Sequence, residues 1–151
     1  MPIATSSDKI NLSSEKKTEE LAIKIAQKLK PGHIIFLYGE MGVGKTTFVR
    51  FLINNIQKNN NLKPTEVTSP TFNLLNEYQI CEIKINHYDL FRLKSPEEVK
   101  NLDLFAENTK VITLIEWPDI IELKPKNLIK LKFNYEDNHK KRSLQIEGLE
   151  F

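Results

Sequence analysis

A chain of 151 residues, 40% of them hydrophobic and 28% charged, has the length and composition of one ordinary globular domain with a buried core. Its 22 basic and 20 acidic residues leave a net charge of +2, which gives no evidence of the concentrated positive surface that nucleic-acid groove binders use. The single cysteine, Cys81, excludes an internal disulfide and any cysteine-based metal cluster, and no run approaches the ~18 apolar residues of a membrane span or the apolar segment of a signal peptide. The expectation is a cytoplasmic single domain, residues 1–151, with no membrane partner.

The first element in chain order is "SSEKKTEELAIKIAQKLKPG", a helix with both ends marked. Ser13 or Ser14 supplies the cap, and Glu15, Glu19 and Glu20 sit near the positive end of the dipole. Leu21, Ile25 and Leu29 recur every fourth residue with Ala22 and Ala26 beside them, and Pro31-Gly32 stops the helix. "HIIFLYG" follows, apolar on both faces and too short for a helix, hence a central strand of a parallel sheet. "KTTFVRFLINNI" places Phe48, Phe51, Leu52 and Ile56 at helical spacing. The polar stretch Asn54–Pro64 after it reads as a surface loop.

Further on, "FNLLNEYQI" and "CEIKINHYDL" read as two strands, paired as a hairpin across "YQIC". "SPEEVKNL" is a short helix with Ser95 as cap and Pro96 in its first turn. "KVITLIEW" is another strand buried on both faces. "NLIKLKFNY" and "KRSLQIEGL" alternate apolar and polar residues around "EDNHK", as in a half-exposed antiparallel hairpin. Lys124, Lys126, Lys130 and Lys132 gather there, and an ordinary solvated face is the better reading of them, with a nucleic-acid surface as the alternative. These elements predict an α/β three-layer sandwich. Its central sheet is mostly parallel, with antiparallel additions and a C-terminal β-hairpin.

Chemistry concentrates between the first strand and its helix. Gly39-Glu40-Met41-Gly42-Val43-Gly44-Lys45-Thr46 matches the phosphate-binding pattern of a glycine, four residues, then Gly-Lys-Ser/Thr, in the strand-to-helix context that pattern requires. Glycine permits positive φ, so successive N–H groups can converge on one anion, and the helix start adds free donors through Thr47. In this pattern, which makes the expected sandwich P-loop NTPase-like, Lys45 reaches the β- and γ-phosphates and the Thr46 hydroxyl holds Mg²⁺.

Hydrolysis also needs a carboxylate for the metal and a group that positions water. Glu116 ends "VITLIE" at the carboxyl edge of its strand, where ligands gather in open α/β sheets; the alternative is a solvent-facing residue at a strand exit. Asp89 in "NHYDLFRL" could hold a metal-bound water, orient the attacking one, or cap the next turn. His87, two residues earlier, points to the same side, and a structural histidine is at least as good an explanation as a catalytic one. Thr71 in "TSPTF" could meet the γ-phosphate as switch threonines do. Arg92 and Arg142 are candidates for phosphate contact. The absence of N-K-x-D and D-x-x-G segments disfavours a GTPase, and the shortage of arginines (Arg50, Arg92 and Arg142 only) disfavours a small-molecule kinase with a lid. A non-hydrolytic ATP-dependent assembly switch stays open beside them.

"GEMGVGKTTFVR", "TSPTF", "HYDLFRL" and "IEWPD", in that order and spacing, resemble the TsaE (YjeE) family of small bacterial P-loop ATPases, over roughly Ser14 to Arg142. The resemblance implies ATP and Mg²⁺ as cofactors, with Lys45 and Thr46 on the phosphates and the metal and Glu116 as the second protein ligand. It implies that Asp89 is essential for hydrolysis, Thr71 is in a switch-like loop, Arg142 approaches the nucleotide, and the Ser14–Thr18 region lies near the adenine. It also implies TsaB and TsaD homologues as partners and tRNA as an indirect one, in threonylcarbamoyladenosine modification beside the anticodon. Glu40, Phe91 and Asn101 stand where the family more often has Asp, Tyr and Gly, and Phe91 thereby lacks a hydroxyl.

Overall fold

The computed structural model describes residues 9–106 and 109–149. Most of the N-terminal segment read above for a leader therefore lies outside the described residues. The strands are β1 (Ile10–Asn11), β2 (Ile34–Tyr38), β3 (Leu75–Ile80), β4 (Ile83–Asp89), β5 (Val111–Glu116), β6 (Leu128–Glu136) and β7 (Lys141–Glu147). The helices are α1 (Glu15–Lys28), α2 (Lys45–Asn59) and α3 (Pro96–Lys100), with a 3₁₀ turn at Pro118–Ile120.

All seven strands form one sheet in the order β1-β7-β6-β2-β5-β4-β3. The ladders β6·β2, β2·β5 and β5·β4 are parallel, while β3·β4, β6·β7 and β1·β7 are antiparallel. The expected parallel centre with antiparallel additions is what forms. Short hairpin turns can join antiparallel neighbours, but parallel ones need crossovers: the segment carrying α3 joins β4 to β5, while α2 leads from β2 toward the β3–β4 hairpin on the face it shares with α1.

Side-chain alternation assigns the two faces. Ile35, Leu37, Ile85, Leu114, Leu131 and Phe133 point to the face covered by α1 and α2, where they meet Ile25, Phe48, Val49, Leu52 and Ile53, all fully or almost fully buried. Phe48 meets Phe133 edge-on with ring centroids 5.9 Å apart, and truncating a buried Phe of this kind to Ala costs about 3–5 kcal/mol. On the other face Ile34, Phe36, Tyr88 and Ile115 lie under Leu90, Val99 and Leu104. That cover reaches β2, β5 and β4 but leaves the Lys130 and Lys132 positions of β6 half-exposed, and Lys132 pairs with Glu147 across the hairpin. The C-terminal hairpin is accordingly half-solvated.

Three local expectations change. Helix α2 runs on to Asn59, through residues read as loop, because Ile56 and Gln57 are buried and Gln57 exchanges two hydrogen bonds with Thr65. Strand β3 starts at Leu75 rather than Phe72: residues 71–73 are in a turn, closed by the Leu74 N–H on the Pro70 carbonyl, with Leu74 at φ +67°. The hairpin turn falls on Cys81-Glu82, and a two-residue strand at Ile10–Asn11 pairs with β7, which no periodicity announced.

Candidate functional site

Parallel pairing puts Asp89 opposite Glu116 and Glu116 beside Leu37. Strand β2 thus delivers the chain into the Gly39–Thr46 loop at the same sheet edge where both acids end their strands. A cavity of about 440 Å³ opens there, between α2's first turn and the carboxyl ends of β4 and β5. Met41, Gly42, Gly44, Lys45, Thr46, Thr47, Thr71, Asp89, Glu116 and Arg142 all line it. Of the nucleotide-site candidates, Gly39, Glu40 and Val43 do not. Val43 is buried in the core, and the Glu40 carboxylate turns outward to His139, 3.6 Å away.

Gly39 holds the loop down. It adopts φ +147°, and a Cβ there would lie 2.9 Å from the Phe133 carbonyl and 2.8 Å from Val43 Cγ1. Only glycine fits so close to a neighbouring backbone at that φ.

The three helices differ at their N-termini. Ser14 caps α1, accepting from the Lys17 N–H with Glu15 in the first turn, and Ser95 caps α3, accepting from the Glu98 N–H above Glu97 and Glu98. The cap position of α2 is Gly44, left-handed at φ +118°, with no side-chain acceptor and no acidic residue in the first turn. The first N–H groups of a helix have no intrahelical acceptor, so α2 turns unsatisfied donors and a positive dipole end into the cavity. An Arg142 guanidinium nitrogen lies 3.7 Å from where a Gly44 Cβ would be. The end is built for an anion from outside the chain.

Lys45 is buried in this wall. Its Nζ donates to the Gly39 carbonyl and stands 3.6 Å from the centroid of the Trp117 ring. Trp117 presents that face from a left-handed conformation at φ 57°, directly after Glu116. Burial holds the Lys45 pKa below its ordinary value, against the opposing pull of the Glu116, Asp89 and Asp119 carboxylates.

Glu116 is 2% exposed. The Thr46 hydroxyl lies 3.1 Å from each of its carboxylate oxygens, and His87 Nε2 lies 2.6 Å from Oε2. The solvent-facing alternative for Glu116 is ruled out. A hydroxyl and a carboxylate side by side, facing a phosphate-sized space, suit Mg²⁺, which binds through one or two protein oxygens while keeping water and phosphate ligands. Among the described residues no group of three or more His, Cys, Asp or Glu side chains is gathered to hold a metal by itself, so such an ion would depend on the anion it accompanies.

Asp89 accepts from the Ser69 hydroxyl, from the Thr71 hydroxyl at 3.3 Å and from the Phe91 N–H at 2.9 Å. It caps the turn after β4 and lines the cavity at once. Ser69, Phe91, Trp117 and Glu15 also line it. Ser69 was legible within "TSPTF" as a second hydroxyl, whereas Trp117 closing over Lys45 had no sequence signal. Arg92 lies away from the anion-binding end, its guanidinium carbon 5.1 Å from the Phe72 ring centroid.

The family model for the threonylcarbamoyl adenosine biosynthesis protein TsaE matches residues 12–144. Curated relatives named tRNA threonylcarbamoyladenosine biosynthesis protein TsaE include that of Rickettsia conorii, 43% identical over 131 residues, covering 86% of this chain and 73% of that protein. The protein of that name from Nostoc is 37% identical over 135 residues, covering 85% of this chain and 79% of its own. The crystal structure of Bacillus subtilis YdiB superposes with a TM-score of 0.67 at 19% identity, covering 93% of this chain and 85% of that one, and so shares the fold. An uncapped helix beneath a glycine loop, with Lys45, Thr46 and Glu116 around one cavity, is thus found in a chain that belongs to the TsaE family.

Proposed function

We propose that this protein binds ATP with Mg²⁺ and hydrolyses it in the service of threonylcarbamoyladenosine modification of tRNA, in the cytoplasm, by acting on a TsaB–TsaD pair. The observation that carries the proposal is the bare N-terminus of α2, aimed into the cavity that also holds Lys45, Thr46 and Glu116. Membership of the TsaE family, whose curated relatives are named for tRNA threonylcarbamoyladenosine biosynthesis, supports the tRNA pathway.

In this reading the Gly42, Gly44 and α2 amides wrap the β- and γ-phosphates. Lys45 leaves the Trp117 ring to neutralise the charge that develops on the transferred phosphoryl group. Thr46 and Glu116 would hold Mg²⁺, which when bound supplies Lewis-acid stabilisation of the phosphate oxygens. Asp89, with Thr71 and Ser69 donating to one of its oxygens, is placed to fix the attacking water or to accept its proton. Arg142 contacts the nucleotide from the hairpin side. Phe72, 84% exposed, and Met41, 65% exposed, form apolar rim positions for the protein pair to cover.

The test is ATP turnover by the wild type and by Glu116→Ala, each with and without the TsaB–TsaD pair. We expect low turnover alone, stimulation by the pair, and loss in the variant. Equal turnover in the two proteins would sink the role of Glu116. Normal tRNA modification in cells carrying a hydrolysis-dead variant would favour an assembly switch, and phosphorylation of a metabolite would favour a kinase.

A further inference from the structure

The symmetry of the Thr46–Glu116 contact poses a problem that Thr46 does not solve. Its hydroxyl oxygen is equidistant, at 3.1 Å, from both oxygens of the carboxylate. A hydroxyl has one proton to donate, so this contact leaves the two oxygens interchangeable. Among the described residues one other side chain distinguishes them: His87, whose Nε2 lies 2.6 Å from Oε2 and has no other side-chain partner there.

His87 is fully buried. It sits on β4 opposite Leu114, on the face shared with Ile85 and two residues before Asp89. Its Nδ1 is buried and has no partner among the described residues. A histidine retained there for the core alone would be outdone by an apolar residue, since burying an unpaired ring nitrogen costs free energy. What the imidazole contributes is a donor to the carboxylate from beneath, inside the protein.

We infer that His87 is a positioning residue: it ties down Oε2 of Glu116 so that Oε1, the oxygen without a histidine partner, is the one presented to the cation. This rests on the ATPase reading given above and adds to it the group that orients the acid. The geometry parallels carboxylate–imidazole pairs in metal sites, where the outer partner fixes which ligand atom faces the ion. Here the carboxylate is the inner group and the imidazole the outer one.

The experiment is calorimetric titration of Mg²⁺ into the folded protein saturated with a non-hydrolysable ATP analogue, for the wild type, His87→Leu and His87→Gln. The Gln amide nitrogen can take the place of Nε2, whereas Leu fills the core without a donor. We expect His87→Leu to weaken Mg²⁺ by about 10- to 100-fold, with metal-free analogue affinity unchanged, and His87→Gln to recover most of the loss. Equal Mg²⁺ affinity in the wild type and His87→Leu overturns the inference, as does His87→Gln as weak as His87→Leu. Should His87→Leu fail to fold, NMR of the nucleotide-free wild type decides. A slowly exchanging, downfield His87 Nε2 proton is expected, and its absence refutes the contact. A wild type that binds no analogue defeats the ATPase reading itself, which is a different result from a loss confined to Mg²⁺.

Discussion

Lys45 and Trp117 are in face-to-cation contact: the ammonium stands 3.6 Å from the ring centroid while donating to the Gly39 carbonyl. Such a contact is worth about 0.5–2 kcal/mol, more when desolvated. It holds the ammonium at the cavity wall, next to the place where phosphate would lie. Trp117 is the chain's single tryptophan. Adding Mg²⁺ and ATP analogue is expected to shift its emission as the ammonium leaves the ring. Fluorescence titration checks this, and Lys45→Met should show no such shift.

The same lysine gives a pH prediction. Because burial lowers its folded pKa below the ordinary 10.5, the folded state releases that proton at lower pH than the unfolded chain does. The wild type therefore gains stability from this group as pH rises through the interval between the two values, and carries the full penalty below it. Lys45→Met, free of the penalty, is expected to melt higher than the wild type at neutral pH, with the gap narrowing in the alkaline range. Thermal melts across pH measure this. A variant melting lower at neutral pH would show that the Gly39 and Trp117 contacts outweigh the burial.

Gly39→Ala should damage folding rather than ligand recognition alone. The new methyl would meet Phe133 and Val43 within 3 Å at a φ that alanine avoids. Strain of this kind and overpacking each cost about 1–3 kcal/mol, so a loss of about 2–4 kcal/mol in urea unfolding is expected.

Thr46→Val keeps the shape of the side chain and deletes its hydroxyl. Glu116 loses one of its two side-chain donors, so stability should fall by about 1–2 kcal/mol. Mg²⁺-dependent turnover should fall by about a hundredfold or more, given the several kcal/mol that a correctly held metal supplies. Thr46→Ser should retain both. Melts and steady-state turnover over a range of Mg²⁺ concentrations separate the two effects.

Much of this site was legible because its signals are local. The glycine spacing, Lys45 and Thr46 lie within eight consecutive residues, and β2 and β5 are apolar on both faces because each is covered twice. Ser14, Ser95 and Pro96 marked their helices in the same local way. The sequence could not show that β6, distant along the chain, lies parallel to β2, since the register rests on contacts such as Leu37 with Leu131. Nor does "IEWPD" tell that Trp117 turns left-handed to roof Lys45. His87 and Glu116 are 29 positions apart, and only the pairing of their strands makes one an explanation for the other. The end of α2 is masked because Asn54, Asn55, Gln57, Lys58 and Asn59 are polar one residue at a time, although Ile56 and Gln57 face inward.

Strand β2 is gripped on both sides in parallel ladders, by β6 along its whole length and by β5 from Ile34 to Leu37. Whatever pull the bound triphosphate exerts on the loop is therefore shared by three rails rather than one. In the proposed ATPase, rearrangement during turnover would then fall to the perimeter, to the hydroxyl-bearing segment at 69–71 and the start of β7, which carries Arg142. In that proposal the centre of the sheet is the anvil and its rim the jaw.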